Sequence, residues 1–332
     1  DKYVKRFTCW NQLLALMFVQ LSNCESWRDL IVALEAHHSK CYHLGMGKNV
    51  SKSSLARANQ DRDYHIFEEY AYNLVSEARQ KCANHIFKLS GNVYAFDSTT
   101  IDLCLSVFWW AKFHKKKGGI KVHTLYDVET QIPAFFHITE ASVHDSKVMI
   151  EIPYDPSSYY IFDRGYNNFK ILYKIHQIEA YFVVRVKKNL GYKSIQWKRR
   201  LPKNVLSDAN VLLTGFYPKQ YYPEPLRLIK YWDEEQEREF TFITNAMHIS
   251  ALQVAELYKN HWQIELFFKW LKQHLKIKRF WGTTENAVRI QIYAAICAYC
   301  LVAIIQHDMQ LDRSTYEVLQ ILSISLTNKT HL

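Results

Sequence analysis

Three carboxylic acids stand at positions from which they could share one reaction site. Asp97 closes the short apolar run NVYAFD, and Asp163 closes the later apolar run YYIFD. Glu265 lies on a segment whose apolar residues recur at helical spacing. Acids that follow strands project from the edge of an open sheet, where α/β folds usually build their sites. We therefore expect the two aspartates to lie together and the glutamate to join them from a helix.

Two aspartates and one glutamate from separate elements are the ligands that a hard divalent ion prefers. Mg²⁺ binds carboxylate oxygens and few other protein groups. Two such ions about 3.5–4 Å apart support in-line displacement at phosphorus, because one activates the attacking oxygen and the other stabilises the leaving oxygen. No general-base side chain is then required. Each acid alone is also typical of a turn or a helix cap, so the prediction depends on the set.

The residues from Ser250 to Leu275 predict one long helix with a polar stripe around Glu265. Four further side chains fall on that stripe: Tyr258, His261, Lys269 and Lys272. The apolar residues beside the stripe would face the core. Glutamate on this face would hold metal, while lysine and histidine would hold phosphates of a DNA backbone.

The same positions carry a family resemblance. Tyr258-x2-His261-x3-Glu265-x6-Lys272 resembles the Tyr-Arg-Glu-Lys signature of bacterial insertion-sequence transposases of the DDE type. FDRGY at 162–166 and AFDSTTIDL at 95–103 resemble the two aspartate regions of that family. The resemblance extends over essentially the whole chain, since its helical N-terminal part is similar to the domain that precedes the catalytic domain in one branch.

The resemblance implies a cut-and-paste DNA transposase that cleaves the ends of its element and joins them to target DNA. Asp97, Asp163 and Glu265 would be the catalytic residues and the ligands of two Mg²⁺ ions, for which Mn²⁺ could substitute. The partners would be duplex DNA, as terminal inverted repeats and as target, with a homodimer formed on it. Excision often proceeds through a DNA hairpin. Trp197 or Trp232 could hold a flipped base there, with core packing as the alternative.

The chain departs from the signature at one position, because His261 stands where the family has arginine. Arginine clamps a phosphate through two donors and is always charged, whereas neutral histidine offers one donor. A DNA-binding protein that has lost catalysis is therefore the alternative function, and a structure-selective nuclease of the same fold is a third. The intact acids favour the transposase.

The elements that must position these acids predict an α/β fold with an RNase H-like core. From residue 91 the order is three strands, a helix, a strand, a helix and a strand, which suits a mixed sheet flanked by helices. Residues 189–245 read as a β-rich insertion, and a helix from Glu285 to Met309 closes the catalytic domain at about residue 310. Residues 311–332 would form a C-terminal tail.

Residues 1–90 predict an all-helical N-terminal domain that binds DNA. A glycine-containing turn precedes a short helix with Ser51 or Ser53 as its N-cap, in the manner of a helix-turn-helix. That helix carries four polar candidates for DNA contact: Lys52, Ser54, Arg57 and Asn59. An ordinary helical subdomain with a solvated polar face is the alternative.

The overall charge favours a polyanionic partner. Lysine and arginine exceed aspartate and glutamate by ten, with a sequence pI near 9.1. A basic loop and strand start at Lys112, His114, Lys115, Lys116, Lys117 and Lys121 is a candidate for backbone contact, as are Arg164 and the run KRR at 198–200. A solvated loop remains the alternative for both lysine-rich segments.

The cysteines and the apolar runs indicate a cytoplasmic protein, and the family resemblance implies that it is bacterial and associated with the nucleoid. Seven scattered cysteines favour reduced, buried thiols over a disulfide framework. The apolar stretch 292–305 is shorter than the roughly 20 residues of a spanning helix, so we expect a buried core helix. The chain begins at Asp1 in what resembles mid-domain sequence, and we expect further residues before it.

Overall fold

The structure is a computed structural model that describes residues 7–22, 24–41, 45, 50–83, 87, 89–114, 117–186, 189–274 and 280–326. The helices within these ranges are α1 (Cys9–Leu21), α2 (Trp27–Ala36), α3 (His38–Cys41), α4 (Lys52–Asp61), α5 (His65–Lys81), α6 (Asp145–Val148), α7 (Phe169–Gln177), α8 (Phe216–Tyr221), α9 (Ala251–Lys259), α10 (Trp262–His274), α11 (Glu285–Asp308) and α12 (Thr315–Ser325). The strands are β1 (Val93–Leu103), β2 (Lys112–His114), β3 (Lys117–Asp127), β4 (Ile132–Glu140), β5 (Tyr159–Phe162), β6 (Tyr181–Arg185), β7 (Tyr192–Trp197), β8 (Val205–Leu213), β9 (Leu226–Asp233) and β10 (Arg238–Thr244).

The strands form one mixed sheet in the order β2-β3-β1-β5-β6-β10-β9-β8-β7, and β4 also pairs with β3. β1, β5 and β6 are parallel neighbours, whereas the other pairs are antiparallel. The predicted hairpin of β3 and β4 is confirmed, and so is the mixed sheet with helices on its faces. β2 and α8 were not predicted from the sequence.

Alternate residues of the central strands face two separate hydrophobic cores, as the two-residue repeat of a strand requires. Ala95 and Ile161 pack in the core that α9, α10 and α11 share with the N-terminal helices. Phe96 and Phe162 pack in the other core, against α6 and α7. The sheet is therefore covered on both faces near β1 and β5.

The segment 189–245 is β-rich, as predicted, and it continues the main sheet. Its last strand, β10, pairs antiparallel with β6 through the partners Phe242–Arg185 and Thr244–Val183. A buried ion pair fixes the insertion further. The Arg227 guanidinium donates to both Asp208 carboxylate oxygens at 2.8 and 2.7 Å, and both side chains are almost completely buried.

The N-terminal helices pack on the C-terminal part of the chain. α5 and α1 contact α11, and α5 also contacts β4. Ser51 caps α4 by accepting from the Ser54 backbone N–H at 3.2 Å, which confirms the predicted cap. Asn59 is 1% exposed, so it faces the core and not the polar face on which the sequence placed it. The C-terminal residues 315–325 form α12, where we expected a tail.

The apolar stretch 292–305 belongs to α11. By length and composition α11 could cross a membrane, yet 78% of its most apolar window is buried inside the protein. This burial confirms the predicted core helix. The seven cysteines are thiols rather than disulfides, and five of them are buried. Burial raises the pKa of Cys297 to about 12, so this thiol is inert at neutral pH.

Candidate active site

The pairing register of the sheet brings Asp97 and Asp163 together. β1 and β5 are parallel, with Phe96 opposite Phe162, so the next residue in each strand direction is an aspartate. The sequence placed Asp97 at a strand end, but β1 continues to Leu103 along β3. Asp97 therefore marks the point at which pairing with β5 ends, and the side of β1 that faced β5 opens into a cleft.

The predicted long helix at 250–275 is two helices. α9 ends at Lys259, and the backbone N–H of its C-cap, Asn260, bonds back to the carbonyls of Glu256 and Leu257. α10 then begins at Trp262. Ser250 and Gln253 form a capping box at the start of α9. The single stripe drawn on one continuous helix is therefore wrong in detail, because the side chains before and after the turn lie on separate axes.

A cavity of about 960 Å³ lies between Asp97 of β1, the carboxyl end of β5 and the helices α9 and α10. We call it the carboxylate cavity. Its lining includes Asp97, Asp163 and Glu265, together with Tyr258 and His261. The structure thus brings the three predicted acids and two of the predicted stripe residues into one cavity. Among its described lining residues, seven carboxylates face only three lysine or arginine side chains.

Tyr258 holds Asp163. Its phenol donates to Asp163 Oδ1 at 2.8 Å, and the Arg185 guanidinium lies 3.7 Å from the same oxygen. The Tyr258 ring packs on Phe242, with ring centroids 4.8 Å apart. Burial, together with the charge of Asp163, raises the pKa of Tyr258 well above its usual value. The phenol therefore stays protonated and remains a donor.

Asp97 is held by Tyr166, the last residue of the FDRGY motif. The Tyr166 hydroxyl donates to Asp97 Oδ1 at 3.1 Å. Burial raises the pKa of Asp97, and the nearby negative charge of Glu265 adds to the rise, while His261 and the hydrogen bonds oppose it. Burial is therefore the main reason that Asp97 holds its proton more tightly than a carboxyl in water does.

Asp145 also lines the carboxylate cavity, although the sequence pointed only to a cap or a supporting role at His144–Asp145. Its Oδ1 accepts from the Ser98 hydroxyl at 2.7 Å and lies 3.1 Å from Lys121 Nζ. Burial opposes ionisation, but the hydrogen bonds from Ser98 and Lys121, together with the charges of Lys121 and His123, outweigh it and lower the pKa of Asp145. Ser98 directly follows Asp97, so this network reaches the first aspartate. His144 meanwhile caps α6.

His261 is buried at the turn between α9 and α10, with 6% of its surface exposed. Its Nε2 lies 3.4 Å from the Phe96 carbonyl oxygen, which can only accept, so Nε2–H is the donor. Its ring stacks 5.8 Å from that of Tyr258. The imidazole thus ties the helix turn to β1, directly before Asp97.

The donor set fits a hard divalent ion in its chemistry. Asp97, Asp163 and Glu265 offer carboxylate oxygens only, which suit such an ion. The pKa of Asp97 is raised mainly by burial, and a bound cation would favour its ionised form. In the described part of the chain, no three of the histidine, cysteine, aspartate and glutamate side chains are grouped closely enough to hold a metal ion as they stand. The three acids line one cavity without being drawn onto a common point.

The other predicted DNA contacts lie elsewhere. Arg164 lines a neighbouring groove, and Lys269 lines a different cavity beside α12, away from Glu265. Lys272 is half-buried near the end of α10. Lys52 and Arg57 are exposed on α4, and Lys117 is exposed at the start of β3. Lys115 and Lys116 lie outside the described residues.

Two details of the basic and aromatic candidates differ from expectation. Lys121, at the end of the basic loop, points at Asp145 and the Val143 carbonyl and not at solvent. Trp197 and Trp232 are 59% and 39% exposed, so core packing, the alternative for both, is wrong. Their role in holding a flipped base stays a prediction.

Comparison with known proteins supports the family resemblance that the sequence motifs indicate. A family model described as "Transposase DDE domain" matches residues 88–301, and one for a domain of unknown function, DUF4372, matches residues 1–47.

The chain is 36% identical to the y4zB transposase of Sinorhizobium fredii over 229 residues, or 68% of this chain. It is 26% identical to the transposase of insertion sequence element IS5377 from Geobacillus stearothermophilus, over 75% of this chain. These matches span 63% and 66% of the two relatives, slightly under two thirds of each. The transposase of element IS4SA from Synechocystis is 26% identical over 78% of this chain and 73% of its own length.

Proposed function

The chain belongs to the transposase DDE domain family, and from that membership we propose that it cuts the ends of an insertion element and joins them to target DNA. The observation that carries the proposal is the meeting of Asp97, Asp163 and Glu265 in one cavity, beside Tyr258 and His261. The family covers the part of the chain that holds all three acids. Terminal inverted repeats and target DNA would be the partners, and cutting two ends implies a dimer on the DNA.

Asp97, Asp163 and Glu265 would hold two Mg²⁺ ions, with Mn²⁺ as a substitute. Such ions, when bound, activate the attacking oxygen and stabilise the leaving oxygen of a phosphodiester. The protein's own residues set the positions of these acids. Tyr258 fixes the Oδ1 atom of Asp163, and Tyr166 fixes that of Asp97. These donors orient the carboxylates as the partners of metal ligands commonly do.

Asp145 serves in this proposal as a positioning residue. It is held by Lys121 and Ser98, and it keeps a negative charge next to the strand that carries Asp97. His261 replaces the signature arginine by anchoring the helix turn to the Phe96 carbonyl. Lys272 and the exposed lysines of α4 and β3 would contact phosphates at a distance from the cut.

We propose an RNase H-like arrangement for the catalytic core. Its support is the parallel pairing of β1 with β5 and the antiparallel hairpin that continues from β1. The helices before residue 90 would bind DNA, with Lys52 and Arg57 as contacts on α4. The protein would then act on the bacterial nucleoid in the cytoplasm.

The test is cleavage of a labelled duplex that carries the element's own end, in Mg²⁺ or Mn²⁺, by the full-length protein. Asp163→Ala is expected to abolish cleavage, and Asp145→Asn to slow it by about 10–100-fold. Glu256→Gln is the matched control, because Glu256 lines the same cavity from the exposed side of α9. Equal cleavage by wild type and Asp163→Ala would refute the site. Binding without cleavage by either protein would favour the alternative, a DNA-binding protein that has lost catalysis.

A further inference from the structure

A second cavity, of about 650 Å³, carries charge of the opposite sign. We call it the basic groove and define it by its four cationic side chains, Arg164, Arg185, Lys230 and Arg238. Glu239 is the one carboxylate among its described lining residues, and it lies 3.8 Å from Lys230. The remaining lining is apolar or uncharged. Cationic side chains thus outnumber acids four to one.

The basic groove lies across the sheet from the carboxylate cavity. Along β10, Phe240 and Phe242 line the carboxylate cavity, whereas Glu239 and Thr241 line the groove. Alternate residues of a strand point to opposite faces, so the two cavities are separated by β9 and β10. They meet where β6 ends, because Arg185 and Arg238 line both of them. A chain of phosphates could therefore pass from one to the other around that end.

The two shared arginines are held in place before any ligand arrives. The guanidinium carbon of Arg185 lies 4.9 Å from the centre of the Phe240 ring, and that of Arg238 lies 4.3 Å from it. Phe240 is 3% exposed, so the ring is fixed in the core. Arg185 also reaches to 3.7 Å from Asp163 Oδ1. Little side-chain freedom would be lost when a phosphate binds between them.

Other basic segments are less suited to a polyanion. In the run at 198–203, Lys198 lies 3.4 Å from Asp208 and Lys203 lies 3.1 Å from Glu234. These contacts neutralise part of the run. In the basic groove, Arg164 is exposed and no described acid pairs with it. Net positive charge next to the carboxylate cavity would attract the phosphates of a DNA strand and offset their repulsion by the carboxylates.

We propose that the basic groove binds the phosphate backbone of the DNA strand that enters the carboxylate cavity. Arg185 and Arg238 would hold the phosphates nearest the cut, and Arg164 and Lys230 would hold those further along. This inference rests on the proposed function for the identity of the polymer, but the groove itself binds without metal. Arg185 is left unchanged in the test, since it also contacts Asp163.

The test is the salt dependence of DNA binding by the full-length protein, measured in a metal chelator on a duplex of mixed sequence. Removing two phosphate contacts with Arg164→Gln plus Lys230→Gln should make the negative slope of log affinity against log salt less steep by about 1.8. The matched control is Lys170→Gln plus Lys219→Gln, two exposed lysines on α7 and α8. It removes the same charge and should leave the slope unchanged.

Equal salt slopes for the two double variants would refute the proposal that the basic groove binds DNA phosphates. The cleavage assay separates this result from failure of the proposed function. If the wild-type protein cleaves DNA in Mg²⁺ and both double variants have the wild-type salt slope, the proposed function stands and the basic groove is refuted. If the groove variant has a less steep slope but the wild-type protein never cleaves DNA, the basic groove stands as a nucleic-acid site and the proposed enzyme activity is refuted. Unfolding by urea checks that each variant is folded.

Discussion

Replacing Tyr258 with phenylalanine separates two roles for the signature tyrosine. The family resemblance predicts a contact with a DNA phosphate, whereas the structure has the hydroxyl donating to Asp163 Oδ1 at 2.8 Å. Tyr258→Phe removes that donor and keeps the ring, whose packing on Phe242 and His261 does not depend on the hydroxyl. The fold should therefore be little affected, and the loss should appear in metal binding.

The size of the loss follows from the surroundings of Asp163. A hydrogen bond to a charged group contributes about 1.5–3 kcal/mol. The Asp163 side chain is 38% exposed, so solvent screens the bond and the lower end of that range applies. About 1.5 kcal/mol corresponds to roughly tenfold in a dissociation constant. We expect Mn²⁺ to bind about tenfold more weakly and cleavage at limiting metal to fall in proportion.

The assay is Mn²⁺ binding followed by electron paramagnetic resonance, with DNA affinity measured separately in chelator. Tyr231→Phe is the matched control, because Tyr231 lines the same cavity and no described partner bonds its hydroxyl. The reasoning fails if Tyr258→Phe leaves Mn²⁺ affinity unchanged and instead makes the slope of log DNA affinity against log salt less steep by about 0.9. A change of that size is what the loss of one phosphate contact produces.

Two further predictions concern stability. Burial raises the pKa of Asp97, so the folded metal-free protein holds its proton more tightly than the unfolded chain does, and stability falls as pH rises above the usual value of 3.8. Asp97→Asn should thus have a higher urea midpoint than the wild type near neutral pH, in metal-free protein, and should lose that advantage below pH 3.8. Equal midpoints for the two proteins at all pH values would contradict burial as the cause of the raised pKa. Asp208→Ala leaves the buried Arg227 guanidinium without its carboxylate and should cost about 3–5 kcal/mol in urea unfolding, while Asp208→Leu with Arg227→Met should recover most of it. A small loss in Asp208→Ala would mean that Lys198 or solvent relaxes the site.

The sequence predicted the parts of the fold that follow from short-range pattern. The alternation and turn residues around Gln131 predicted the hairpin of β3 and β4, and Ser51 marked the start of α4. Aspartates after two apolar runs predicted a shared strand edge, and the register of Phe96 with Phe162 confirms that the two strands are neighbours. Local residue types are enough for such predictions, because each depends on a few adjacent residues.

The rest depended on contacts between distant residues. No residue between Lys259 and Trp262 is a strong helix breaker, and the turn there is set by packing of His261 on β1. Asp145 could not be distinguished from a cap, because its partners Ser98 and Lys121 are far away in the chain. The basic groove collects cations from four separate places in the chain, so no single segment of the sequence predicts it.

The pairing of β10 with β6 also bears on how the protein can be shortened. If residues 189–245 were excised, β6 would carry a row of backbone N–H and C=O groups with no neighbour on one side. An uncovered strand of this kind recruits strands from other molecules and drives aggregation. A minimal catalytic fragment that keeps Asp97, Asp163 and Glu265 would still precipitate unless β9 and β10 were retained beside β6.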